Sequence, residues 1–515
     1  MSSGGYIWPF ASLSCLPSCA MLLSVVLLLV LLATLGWLWI QLTVSPHHFP
    51  PLVPGFLHLI QADLPSHFLS LAQKYGPLYR LHLGIQDVVV LNSKKAIEEA
   101  FIKKWMDFSG RPQTFTVQLV SKTGQDLSLG DYTPLWKAQR KLARSALLHV
   151  QNNMESLVEQ MVQDLCKRLL AQAGSPVNIS EEFFTFTCSI ICFLSFGEKT
   201  ESSVQEISNC VKELMVAWDS RQVQILDILP FLRFFPNPGL RKLRRIIKKR
   251  DKIVQKQLRW HKETMVEGQT RDLTDYMLQK LKEQGEGPGQ LSEGHVQMAL
   301  VDFFIGGTET IASTLTWAMV FLLHHPEIQR RLQEELDQEL GPGFSGSSPN
   351  YRDRARFPLL NATITEVLRL RPAAPLGIPH YTKQPTSLCG FDIPKNTIII
   401  PNIYGAHHDD SVWAQPYDFR PDRFLEAEPS PVGIPFSCGA RVCLGEHLAR
   451  SEVFLTLAQL LQAFTLQPVV EGNHALPSLK PIFGVNTKAL EFQVRLLPRE
   501  AGARMTTSAA SGSSL

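Results

Sequence analysis

The sequence predicts a mainly α-helical protein with a small β part, preceded by one N-terminal transmembrane helix. Three observations predict it. Apolar residues recur at helical spacing over 133–147, 152–172, 239–266, 295–325 and 444–463. The valine-rich run from Tyr79 to Asn92 alternates apolar and polar residues, as a pair of strands does. Met21 to Ile40 is an almost unbroken apolar run, and the first sixty-two residues contain no Lys, Arg, Asp or Glu.

Taken in order, residues 1–20 form a tail and 21–40 the membrane anchor. At about 1.5 Å per residue, roughly twenty helical residues cross a ~30 Å hydrocarbon core. A cleavable signal would be shorter and would carry a positively charged start, which is absent. Trp37 and Trp39 suit the membrane interface, and Pro46, Pro50, Pro51 and Pro54 stiffen a linker over 41–55. Lys74 and Arg80, on the C-terminal side, place the body from 56 to 498 in the cytosol. The Ser/Ala/Gly/Thr-rich stretch 499–515 is expected to be a disordered tail.

The chain carries little net charge: 50 Lys and Arg against 47 Asp and Glu, or +3 overall, which argues against nucleic acid as a partner. Its cysteines lack the paired spacing of a disulfide scaffold or a zinc site. Segment 295–325 is apolar enough to suggest a second span, but Asp302, Glu309, His324 and His325 would be costly there. Gly306-Gly307 inside a helix costs about 1 kcal/mol per glycine. A buried helix approaching a flat ligand accounts for both features. Pro-rich, weakly periodic sequence over 371–380 and 410–440 predicts long ordered loops of functional kind.

The strongest chemical signal is Phe436-Ser437-Cys438-Gly439-Ala440-Arg441-Val442-Cys443-Leu444-Gly445, directly before an apolar helix. Cys443 at a helix start meets backbone N–H groups and the positive end of the macrodipole, both of which favour a thiolate. Gly439 and Gly445 permit tight turns, Arg441 offers a cation to a carboxylate, and Phe436 can shield the sulfur.

This pattern, FxxGxRxCxG, resembles the haem-binding loop of the cytochrome P450 family, with Cys443 matching the axial ligand of haem b. Glu366-Val367-Leu368-Arg369 looks like the family's ExxR and Pro421-Asp422-Arg423-Phe424 its PxRF. The resemblance implies a structural network of Glu366, Arg369 and Arg423. Trp136-Lys137-Ala138-Gln139-Arg140 resembles the WxxxR whose two ends meet a haem propionate. By the same likeness Arg111, His380 and Phe436 are haem contacts beside Arg441. Gly306-Gly307-Thr308-Glu309-Thr310 looks like the oxygen-activating motif, with Glu309 and Thr310 as the acid–alcohol pair that relays protons. Ile311 departs from the usual Thr or Ser.

Longer stretches, among them Asp87 to Lys94, Phe231 to Leu240 and Cys438 to Glu446, are similar to steroid 21-hydroxylases. That implies hydroxylation of C21 of progesterone and 17α-hydroxyprogesterone at the endoplasmic reticulum membrane. Dioxygen is then the co-substrate, and electrons come from NADPH through NADPH–cytochrome P450 reductase. The chain carries no dinucleotide fingerprint of its own. Arg250 lies on the apolar face made by Leu243, Ile246, Ile247, Val254 and Leu258, where a cation needs an acceptor; the resemblance makes that acceptor the steroid's ring carbonyl. Asp302, Trp218, Leu127, Ser128 and Leu129 match positions around the steroid. Phe234 and Phe235 could dip into membrane lipid.

Overall fold

A computed structural model of the chain describes residues 24–34, 36, 48–55, 58, 61–83, 86–197, 201–285, 287, 289–341, 349–426, 431–469 and 476–499. Ser24–Thr34, within the predicted anchor, is an apolar, exposed helix. Residues 21–23, 35 and 37–40 of the anchor predicted over 21–40, the tail 1–20 and residues 500–515 lie outside the described residues.

The predicted strands are present as β1 (Leu78–Leu83) and β2 (Gln86–Leu91), paired antiparallel with Tyr79 opposite Val90. Two strands from much later in the chain complete the sheet. β3 (His380–Tyr381) pairs antiparallel with β4 (Ile398–Pro401), and β4 runs parallel to β2 with Val89 opposite Ile399, giving the order β1-β2-β4-β3. Between β2 and the helical body, Glu99–Lys103 forms one π-helical turn.

Helices make the rest. α1 (Pro134–Ala171) begins where Thr133 accepts the Trp136 amide, with Pro134 at its first position. The sequence suggests two helices here; the structure has one of 38 residues, about 57 Å long. It continues because Leu147, Val150, Met154 and Leu157 keep packing into the main core across the weakly helical stretch between them. α2 (Ile179–Phe196), capped by Asn178, is apolar on nearly every face and mostly buried, as a core helix is. α3 (Pro238–Thr264) is amphipathic, α4 (Glu293–His324) is the long helix of the predicted motif, α5 (Pro358–Leu370) carries Glu366 and Arg369, and α6 (Glu446–Ala463) follows the cysteine loop.

α4 lies against α2 at the core's centre, and the two approach closely at Gly307: a Cβ there would stand 2.6 Å from Ile191 Cδ1. α4 is therefore a core helix, as its buried charges require. A short hairpin, β5 (Ile482–Phe483) with β6 (Thr487–Lys488), folds back onto it.

Candidate active site

The cysteine loop is a strained turn braced from outside. Ser437 and Gly439 both take left-handed backbone conformations, with φ 61° and 74°. A Cβ on Gly439 would stand 1.8 Å from the Phe101 carbonyl oxygen, so glycine alone fits. The Cys443 amide donates to the Phe436 carbonyl at 3.0 Å, and Gly445 caps α6 two residues later. Cys443 is surrounded by protein, yet its side chain is open to one large cavity. Burial pushes the thiol up, while the Gly445 amide and Arg140 act against it. The favourable field expected from sequence is present but weaker than desolvation for the bare thiol; a coordinated metal removes the proton outright.

The cavity has a volume of 1920 Å³ and mostly apolar walls. That exceeds the ~300–1,000 Å³ of one small-molecule site, so it has room for a cofactor and a substrate together. Phe436 lines it, with Arg450 over its ring at 4.8 Å. Arg111, Arg140, Arg441 and His380 also reach it. Arg441 donates to the Ser109 and Gly130 carbonyls at 3.0 and 2.8 Å, and Arg111 to those of Ile378, Pro379 and Ser128 at 2.8 to 2.9 Å. Arg140 donates to the Val442 carbonyl beside the cysteine. Burial, then Arg441's charge, hold Arg111 well below the ordinary guanidinium range, and burial brings Arg441 to about 10. His380 is lowered by burial and then by Arg111; its Nδ1 donates to the Phe108 carbonyl at 2.6 Å, and its ring stacks on Phe101 at 3.9 Å.

Three guanidiniums crowded at one cavity call for anions. An iron porphyrin fits this donor set: a soft sulfur ligand on one wall, cations for its two carboxylates at the rim, and apolar surface for its faces.

Opposite the loop, Gly306, Gly307, Thr310 and Ile311 of α4 line the cavity. The Thr310 hydroxyl donates to the Gly306 carbonyl. Further along, Leu127, Ser128, Leu129, Asp302 and Trp218 line it as well, with Ala373 and Ala374. Asp302 accepts from the Leu127 amide at 2.6 Å, and the Ser128 hydroxyl lies 2.5 Å from Asp302 Oδ1 and 3.1 Å from Asp126 Oδ2. One hydroxyl hydrogen serves only one carboxylate, so the second contact needs a protonated acid. Burial, then Asp126, push Asp302 well above the carboxylate range. Asp126 was not singled out in the sequence, though its place directly before Leu127-Ser128-Leu129 marked it.

Three of the residues singled out in the sequence lie outside the cavity lining. Trp136 does not line the cavity: its indole N–H donates to the Leu127 carbonyl at 2.9 Å, and its ring lies under Arg441 at 3.8 Å. It supports the Arg441 cation. Arg250 is buried on the apolar face of α3 but is likewise outside the lining; it donates to Asp251 at 2.8 and 3.0 Å and to the Val120 carbonyl at 2.8 Å, which satisfies the charge without a ligand. Glu309 is buried and turned from the wall toward Asn486 and Lys488.

Glu366 receives Arg369 at 2.7 and 2.8 Å and Arg423 at 3.1 Å, all three buried, with the Arg420 amide at 3.0 Å. This network joins α5 to the loop before the cysteine and holds no ligand.

The cytochrome P450 family model matches residues 46–495. The chain is 60% identical to the steroid 21-hydroxylase of Bos taurus over 495 residues, 95% of this chain and 99% of that one. It is 58% identical to the steroid 21-hydroxylase of Homo sapiens, over 94% of this chain and 98% of that one. A solved zebra fish cytochrome P450 with progesterone, 33% identical, superposes with a TM-score of 0.77 over 85% of this chain and 100% of its own.

Proposed function

The chain belongs to the cytochrome P450 family, and from that premise we propose that it is a steroid 21-monooxygenase, which hydroxylates C21 of progesterone and 17α-hydroxyprogesterone to 11-deoxycorticosterone and 11-deoxycortisol. The observation that carries the reading is the single cavity, walled on one side by Cys443 and its cations and on the other by Gly306 to Ile311, with room beyond for an apolar substrate. The 21-hydroxylase relatives, similar along nearly their whole length, supply the position of attack.

Cys443 would ligate the iron of haem b, Arg111, Arg140 and Arg441 would hold its carboxylates, and His380 would lie against it as a neutral ring. Bound there, the haem supplies the iron at which dioxygen is activated, and the sulfur's electron donation favours cleavage of the O–O bond. Arg441 is kept in place by the Trp136 ring. Thr310 presents its hydroxyl at the cavity, and Glu309, one residue before it, is the acid that restores a proton lost from that side. Asp302 and Ser128, with Leu127, Leu129 and Trp218, would bound the steroid. Asp251 and the Val120 carbonyl take three of the five Arg250 N–H donors, which leaves a donor for the steroid's ring carbonyl.

Electrons would come from NADPH through NADPH–cytochrome P450 reductase. Phe231, Phe234 and Phe235, 56%, 90% and 64% exposed, support contact with membrane lipid, and the N-terminal apolar run supports anchoring in the endoplasmic reticulum with the body in the cytosol.

The test is product analysis with the anchored protein, reductase, NADPH, dioxygen and progesterone. A 21-hydroxylated product, abolished by Cys443→Ser, is expected. A different position of attack, or no NADPH-dependent product, overturns the assignment.

A further inference from the structure

Glu309 and Thr310 are neighbours in sequence but not in direction. Gly306, Thr310 and Thr314 follow one another at four-residue spacing along the cavity face of α4, whereas Glu309, Ser313 and Trp317 form a stripe rotated by about 100° from it. The β5–β6 hairpin covers that second stripe with three consecutive residues. Asn486 donates to Glu309 Oε2 at 2.8 Å, and the Lys488 ammonium meets Oε1. Between them, the Thr487 carbonyl accepts from the Ser313 hydroxyl and from Trp317 Nε1, the latter at 3.2 Å. Thr487 is itself fixed: its amide donates to the Ala373 carbonyl at 2.9 Å and its hydroxyl to the Pro372 carbonyl at 2.8 Å. Each oxygen of Glu309 thus has its own donor, and both donors stand on one pinned hairpin, either side of Thr487.

The two donors face opposite ways. Asn486 is buried and lines the cavity, while the Lys488 side chain is 45% exposed against 10% for Glu309. Cavity, Asn486, Glu309, Lys488 and solvent therefore form one polar path through the hairpin. Asp219, just past the end of the helix Glu201–Trp218, is a further charged group beside it, close enough that its charge and those of Lys488 and Glu309 act on one another. Gly484 of the same hairpin would place a Cβ 2.3 Å from Asp219 Oδ2.

We propose that Lys488 and Asn486 are positioning residues for proton delivery: the hairpin fixes the Glu309 carboxylate off the cavity wall, and Lys488 connects it to solvent. This rests on the reading of Glu309 as the acid of the monooxygenase. Each proton that Glu309 gives toward the cavity is returned to it through the Lys488 ammonium, which regains its own from bulk water, and the two protons consumed in a turnover match the two electrons that arrive through the reductase.

The experiment uses the full chain with haem and reductase, in the variants Lys488→Met, Lys488→Arg, Glu309→Gln and the Glu309→Gln/Lys488→Met double. Lys488→Met is expected to bind progesterone with a spin-state change within about twofold of the parent, while product formed per NADPH oxidised falls about tenfold, less than the ~10²–10⁴ that a general acid supplies. Its pH profile for that ratio should shift, and Lys488→Arg should recover most of the loss. Thermal melting of the cycle should give non-additive shifts, because the two side chains share one contact. Unchanged product per NADPH in Lys488→Met, with Glu309→Gln impaired, overturns the positioning role alone, whether or not the melts are additive. Unimpaired Glu309→Gln overturns the acid reading and this inference with it.

Discussion

A methyl group at position 439 has nowhere to go, because the Phe101 carbonyl oxygen occupies its place and the backbone is left-handed. Gly439→Ala is expected to displace the cysteine loop and abolish the thiolate signature of the reduced carbon monoxide spectrum. A second residue sets a pH dependence. Burial pushes the Asp126 carboxyl up to about 6, above the ~3.9 of an unfolded chain, so the folded state binds this proton more tightly. The stabilisation is present below the unfolded value and is lost as pH rises to about 6. Melting temperatures measured from pH 4 to 7 should therefore fall less steeply in Asp126→Asn than in the parent.

At the scale of elements, the end of α3 is joined to the start of the helix Leu273–Gln284 by His261. Its Nδ1 faces the Gln257 carbonyl at 2.7 Å and its Nε2 the Asp272 carboxylate at 3.0 Å. Both partners accept, so the ring is satisfied only as an imidazolium. Burial opposes that charge, but the Asp272 hydrogen bond and charge raise the pKa above its ordinary value. A raised folded pKa means stability that is complete below about 6.5 and is lost as pH climbs through the folded value. His261→Gln should flatten the decline of melting temperature above neutrality; an unchanged slope would remove His261 from the account. Elements also show where sequence patterns end. The period of α4 and its buried charges were legible because helix periodicity is local. The union of 133–147 and 152–172 into α1 was not, since packing carries the helix across a stretch that propensity alone would break.

For the whole molecule, the Glu366–Arg369–Arg423 network ties α5 to the segment leading into the cysteine loop with all three charges buried. Glu366→Gln would leave two guanidiniums without their carboxylate, a loss on the order of 3–5 kcal/mol. Expression of that variant should yield little folded haem protein, while a surface control such as Lys280→Gln should not differ from the parent. Phe436 to Gly445 and the Glu366–Arg369 pair could be recognised from sequence because each is contiguous or one helical turn apart. Glu309 with Asn486, 177 residues apart, and Ser128 with Asp302, 174 apart, could not, because only the fold brings them together. The direction of Trp136 was hidden for the same reason: spacing shows that it shares a helix with Arg140 and not which side its ring takes. The π-helical turn Glu99–Lys103 gives this dependence on the fold its sharpest form. It holds one more residue than an α-helical turn would, and Phe101 within it both braces Gly439 and stacks on His380. Deleting a single residue there would turn the following backbone by about 100° and withdraw the brace from both at once, so the register of one early turn is a length standard against which the distant cysteine loop is set.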